Sequence, residues 1–357
     1  MKTPLLAVSI GCPSGVGPEV SVLGASQAEG VRAILVGDPG VIEHAAEVVG
    51  VRRAIQLVTT RRDVARASRH ALLVFRESSV LGAVLRPGRP DAHAGRAELA
   101  WIDEATSLVS RGEADALVTG PVSKHAIATS GAPGSKDFLG HTEHLQRTLG
   151  AREVTMAFYA EELVVALVTT HLSLRDVPDA ITKVGVASAA YWLARLLIAT
   201  GKRTPKLAIA ALNPHAGEGG LLGTEEMRVI GPGVALARAR LERDGVRAEL
   251  VGPLGAETAF RVAAKRGFDG VVAMYHDQAT IPSKVLAFGD AVNVSLGLPI
   301  VRTSVDHGTA YDVAWQGVAD ANGMTRALEL AGVLAKAKRP PTAPPGRRTR
   351  RDGAAKR

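Results

Sequence analysis

The chain has 357 residues, 46% hydrophobic and 22% charged, the balance of a soluble globular protein with material for two domain cores. Aromatics make up only 4%, which argues against a base-stacking nucleic-acid surface, and no apolar run approaches the roughly 20 residues of a membrane-spanning helix. The formal charge of +8 comes wholly from residues 336–357, where nine Lys and Arg face one Asp, so the body is formally neutral.

In chain order, Leu5–Ile10 reads as a first strand rather than a signal peptide. It runs into Gly11-Cys12-Pro13-Ser14-Gly15-Val16-Gly17-Pro18-Glu19, a glycine-rich turn that opens a helix and suits an anion or tight packing. The turn lacks the full dinucleotide fingerprint, because no acidic residue ends a second strand about 20 residues on. Cys12 is the single cysteine; it excludes an intrachain disulfide and predicts a reducing, cytoplasmic setting. Short strands (33–36, 72–74, 116–119) then alternate with helical stretches (41–49, 64–68, 94–111). This alternation predicts a parallel sheet covered on both faces. The small-residue segment Ser130–Asp137 reads as a domain boundary, and Gly140-His141-Thr142-Glu143-His144 follows at a helix start. The Pro-rich basic tail, 336–357, is predicted to be disordered. A binding protein built around this tail is the non-enzymatic alternative.

Three apolar runs end in histidine. Leu163–Thr170 ends in His171, Leu207–Leu212 leads to His215, and Gly270–Tyr275 ends in His276. In open α/β sheets ligands sit beyond the carboxyl ends of strands, so a shared sheet edge would gather the three imidazoles. Three imidazoles suit a borderline divalent metal such as Zn, Co, Ni or Mn with open positions for substrate. A metal-dependent hydrolase could use the same set. The run Val292–Val301 reads as one further strand, ending in Arg302, Asp306 and His307. Lys284, Asn293 and Arg302 add donors that clamp a phosphate or carboxylate.

The stretches Gly11–Glu19, Val118–Lys124 (VTGPVSK), Gly140–Glu143 (GHTE), Thr170–Pro178 (THLSLRDVP), Asn213–Glu218 (NPHAGE), Gly252–Thr258 (GPLGAET), Tyr275–Gln278 (YHDQ) and Val292–Gly308 together resemble the 4-hydroxythreonine-4-phosphate dehydrogenase family of vitamin B6 biosynthesis. The resemblance covers about residues 5 to 330. It implies a two-domain α/β/α fold related to the isocitrate and isopropylmalate dehydrogenases, with the active site in the interdomain cleft. One domain would comprise 1–135 plus 300–335 and the other 136–299. It implies a homodimer with a shared site and a divalent metal (Zn, Mg, Co or Mn) on His171, His215 and His276, His276 coming from the partner. His141, Thr142, Lys284, Asn293 and Arg302 match the family's substrate-binding positions, and Lys284 or Asp277 would assist proton transfer. The cofactor would be NAD or NADP, with its binding residues unassigned. The implied reaction oxidises 4-hydroxythreonine 4-phosphate to a 3-keto acid that decarboxylates to 3-amino-2-oxopropyl phosphate. Cys12, Glu257 and Ala279 replace the family's usual Asp, Asp and Gly. These departures leave open a branch acting on 4-phospho-threonate or 4-phospho-erythronate.

Overall fold

The computed structural model describes residues 3–79, 81, 85–287, 289–337 and 342–343. Among them twelve strands form one sheet: β1 Leu5–Ser9, β2 Arg32–Val36, β3 Ile55–Val58, β4 Leu72–Phe75, β5 Ala116–Thr119, β6 Thr155–Tyr159, β7 Val164–Leu167, β8 Lys206–Ala210, β9 Glu249–Leu254, β10 Gly270–Ala273, β11 Val292–Leu296 and β12 Arg302–Val305. Their spatial order is β3-β4-β2-β1-β5-β12-β11-β6-β7-β10-β8-β9. The strands are short and mostly apolar because both faces are covered, as in other α/β sheets.

The alternation of elements predicted a parallel sheet, and the sheet is instead mixed. β3-β4-β2-β1-β5-β12 is one parallel block and β7-β10-β8-β9 another. Between them β11 runs antiparallel to β12 and β6, and β6 antiparallel to β7, so the two blocks point in opposite directions. The run Val292–Val301 is also not one strand. It folds back after Leu296, and Arg302 begins the returning strand instead of following the first. Gly297 makes this turn possible: its φ is +87°, and an added Cβ would lie 2.9 Å from the Glu153 carbonyl oxygen. β3, β6 and β9 were not anticipated as strands.

Cross-strand pairing decides which side chains share a face. Asn293 pairs with Ser304 and with Phe158, and Ser304 pairs with Thr119. Arg302 and Ser295 are two residues along and share that face. The alternate residues Val292, Val294, Thr303 and Val305 are buried under helix Asn322–Lys336, where the Thr303 hydroxyl donates to the Ala327 carbonyl at 2.8 Å. Helix Lys183–Ala199 buries eleven of its 17 residues, largely against the second block. No single helix among the described residues is long and apolar enough to cross a membrane. Of the basic tail, Lys336 closes its helix and the Ala343 N–H donates to the Leu298 carbonyl at 2.9 Å. The expectation of disorder otherwise falls outside the described residues.

Candidate active site

The polar face of β5, β12 and β11, flanked by Met156 and Phe158 of β6, floors a cavity of about 320 Å³ where the two blocks meet. Arg302 is its centre. The guanidinium is buried, donating from Nη1 to Ser295 Oγ at 2.9 Å and from Nη2 to Thr119 Oγ1 at 2.7 Å. Its Nε is buried without a partner. Burial lowers its pKa to about 10, with Glu143 acting in the opposite direction, so it remains a cation at neutral pH. A buried cation with one donor free calls for an anion.

Helix His141–Leu149 ends its first turn on the same cavity. Thr142 Oγ1 lies 3.3 Å from Ser295 Oγ. His141 Nε2 is buried and unpartnered, and burial, then Arg302, His144 and Lys124, hold the ring well below its ordinary pKa and neutral. Asn293 Oδ1 is a third buried, unpartnered atom. His144, three residues on, is instead tied to Asp103 at 2.6 Å. The free donors and the helix N-terminus together suit an oxyanion.

His171 and His276 stand at the rim of this cavity with ring centroids 5.4 Å apart. Burial lowers the His171 pKa, helped by Lys124 and His276, which keeps a neutral, ligand-competent imidazole. His276 Nδ1 lies 2.7 Å from Asp277 Oδ1, a carboxylate–imidazole pair of the kind that orients metal ligands. This donor chemistry fits a divalent ion. His215 is not with them: it is exposed on the turn Pro214–Gly220, and among the described residues no three of His, Cys, Asp and Glu come within reach of one ion. The resemblance implied that His276 arrives from a partner; here His171 and His276 are neighbours within one chain.

Lys284 lies between this cavity and a more apolar one of about 300 Å³, and both also contact Asp306 and His307. Asp277 does not line the polar cavity; it faces a third space with His171, His276 and Ile281. Of the departures, Cys12 is buried with its Sγ 3.8 Å from the Tyr311 hydroxyl, Glu257 pairs with Arg261 at the surface, and Ala279 is in the core. The sequence reading missed Thr119 and Ser295, the hydroxyls that hold Arg302. Their signal was a hydroxyl in an otherwise apolar strand, two residues from Asn293 in the case of Ser295.

The family model described as pyridoxal phosphate biosynthetic protein PdxA matches residues 29–331. The chain belongs to this family. A 4-hydroxythreonine-4-phosphate dehydrogenase from Desulfosudis oleivorans is 40% identical over 92% of this chain and 95% of its own length. A Cutibacterium acnes relative whose name assigns it as a D-threonate 4-phosphate dehydrogenase is 38% identical over 94% of this chain and 95% of its own. The crystal structure of the Klebsiella pneumoniae 4-hydroxythreonine-4-phosphate dehydrogenase superposes with a TM-score of 0.80 at 35% identity, covering 93% of this chain and 100% of that one. The family and the α/β class expected from the sequence are therefore those found.

Proposed function

We propose that this chain is an NAD(P)-linked dehydrogenase of 4-hydroxythreonine 4-phosphate, acting in vitamin B6 biosynthesis. The observation that carries the reading is the buried Arg302, with its free Nε among the unpartnered His141 Nε2 and Asn293 Oδ1 and beside two adjacent imidazoles. Arg302, His141 and Thr142 grip an oxyanion end of the substrate, and Asn293 accepts a hydrogen bond from its amino or hydroxyl group. Held this way, the secondary alcohol lies toward His171 and His276.

A divalent ion held by His171, His276 and His215, with one imidazole coming from a second copy of the chain, supplies Lewis-acid polarisation of the alcohol and ketone oxygens when bound. NAD or NADP, seated in the neighbouring cavity, supplies the hydride acceptor. Lys284, common to both cavities, moves the proton, whereas Asp277 orients His276. The alcohol is oxidised to a 3-keto acid, which loses CO2 to leave 3-amino-2-oxopropyl phosphate. The strands of 1–135 and 300–335 on one side and of 136–299 on the other are the two domains of this reading.

The near-equal identity to the Cutibacterium acnes relative supports a second reading, a D-threonate 4-phosphate dehydrogenase. The test is a panel of phosphorylated four-carbon hydroxy acids offered to the metal-loaded protein, scored by nucleotide reduction. Highest turnover is expected with 4-hydroxythreonine 4-phosphate. Preference for the threonate ester would select the second reading, and hydrolysis without nucleotide reduction would overturn both.

A further inference from the structure

The three histidines leave the sheet at neighbouring strands, and a layer of polar side chains lies directly beneath them. The Thr169 hydroxyl, two residues before His171, donates to the Met274 carbonyl at 2.7 Å. Met274 is two residues before His276, and its N–H donates to Gln278 Oε1 at 2.7 Å. Gln278 Nε2 then donates to the carbonyl of Ala211 at 2.9 Å, at the start of the segment leading to His215. One amide thus links the ends of β10 and β8, each through a backbone group that the ladder leaves free.

The segment carrying His215 is unusual in its backbone. His215, Ala216, Gly217, Glu218 and Gly219 all adopt left-handed conformations, with φ between 45° and 80°. Three of them are not glycine, so the turn is strained and persists only because its surroundings fix it. Where the chain enters this turn, Asn213 Nδ2 donates to Glu225 Oε2 at 2.7 Å, and the group with the most bonds there is the buried carboxylate of Glu226. Its Oε1 accepts from the N–H of Leu212 at 2.9 Å and of Asn213 at 2.8 Å, and its Oε2 accepts from Asn213 Nδ2 at 3.0 Å. Gly217 packs on the same carboxylate; a Cβ there would stand 2.7 Å from Oε2. Glu226 begins a single π-helical turn, Glu226–Ile230, a form frequent at functional sites. Backbone strain over successive residues, a buried anion bonded to the residues that lead into the turn, and an exposed imidazole within it coincide.

We propose that Glu226 and Gln278 are positioning residues for the three histidines. Gln278 anchors the two strand ends from which His276 and His215 depart, each toward the site it serves, and Glu226 holds the left-handed turn from which His215 is presented. The inference rests on the metal reading above. It separates two tasks in one site, because neither residue lies on the oxyanion-binding floor around Arg302.

The test uses the full-length protein, Glu226→Gln and Gln278→Glu, with zinc competed against a chromophoric chelator and inorganic phosphate titrated separately. Glu226→Gln keeps the side chain's size but turns one acceptor into a donor facing Asn213 Nδ2. Gln278→Glu keeps the acceptor for Met274 and removes the donor to Ala211. Zinc affinity is expected to fall about ten- to a hundred-fold in each, as for other residues that orient ligands, with phosphate affinity within about two-fold of wild type. Amide exchange over 213–220 should quicken in Glu226→Gln. Unchanged zinc affinity, or equal loss of zinc and phosphate, would overturn the proposal; if one variant does not fold, the other decides. Wild-type protein that takes up no zinc would refute the metal reading itself, an outcome distinct from a variant that matches a zinc-binding wild type.

Discussion

At the scale of single residues, Arg302 does three things at once: it satisfies Ser295, satisfies Thr119, and keeps Nε free. Lysine has the charge without the planar fork. Arg302→Lys is expected to lower kcat/KM about ten-fold or more, on the order of 1.4 kcal/mol of transition-state binding; unchanged kinetics would remove Arg302 from the site. Glu98 offers a pH test. It is buried, its Oε2 accepts from the Ser123 N–H at 2.7 Å, its Oε1 has no partner, and Cys12 stands beside it. Burial raises its pKa from 4.5 to about 8. The native state therefore keeps a proton that the unfolded chain gives up. Stability from this group is complete below pH 4.5 and lost as pH rises through 8, on the order of 1.4 kcal/mol per unit of separation. Glu98→Gln stays neutral, so its melting temperature relative to wild type should climb between pH 5 and pH 8.5. A constant difference across that range would show that Glu98 is ionised in the native protein. The histidines and Arg302 were legible in the sequence because each adjoins an apolar run. Thr119 was not, because it meets Arg302 across 183 residues of chain and only the β5–β12 pairing joins them.

At the scale of elements, the β11–β12 hairpin does most to shape the site. Periodicity hid it: Leu298 and Ile300 are buried in the turn and continue the every-second-residue apolar pattern of Val292, Val294 and Leu296 toward the next strand. Gly297 was the visible mark of the reversal, and a glycine in a strand pattern is as often a bulge as a turn. The reversal turns β11 against both of its neighbours and brings Asn293 and Ser295 onto the face that holds Arg302. β9 escaped notice because Gly252 and Pro253 sit inside it and read as a turn. Gly297→Ala should be costly. The φ of +87° disfavours any side chain, and the Cβ would press on Glu153 O at 2.9 Å and Trp192 at 3.1 Å. A loss of about 2 kcal/mol or more is expected in denaturant unfolding, with weakened phosphate binding. Gly245, also left-handed at +62° but with nothing within 4 Å of its Cβ position, is the control. If Gly245→Ala costs as much, close packing at Gly297 is not what the hairpin depends on.

At the scale of the whole molecule, two oppositely directed parallel blocks meet at the polar cavity around Arg302, and two of the three histidines stand at its rim. Beside them, Leu174 is 69% and Ile281 63% exposed, and a space of about 370 Å³ lies between His171, Leu174 and Ile281. Apolar side chains around an incomplete ligand set suit a second copy of the chain, whose exposed His215 would complete it. Complementation of inactive variants tests this and identifies which histidine crosses. When His171→Ala and His215→Ala chains are mixed, a heterodimer has one site with both defects and one with neither, provided that His215 is the residue donated. About half of the heterodimer's sites would then recover. When His171→Ala is mixed with His276→Ala, each site keeps one defect, because the adjacent imidazoles belong to one chain, and no activity should return. Recovery in the second mixture alone would mean that His276 crosses instead. Recovery in both would separate His171 from the other two. Silence in both, after subunit exchange is verified by mass, would confine the metal site to a single chain.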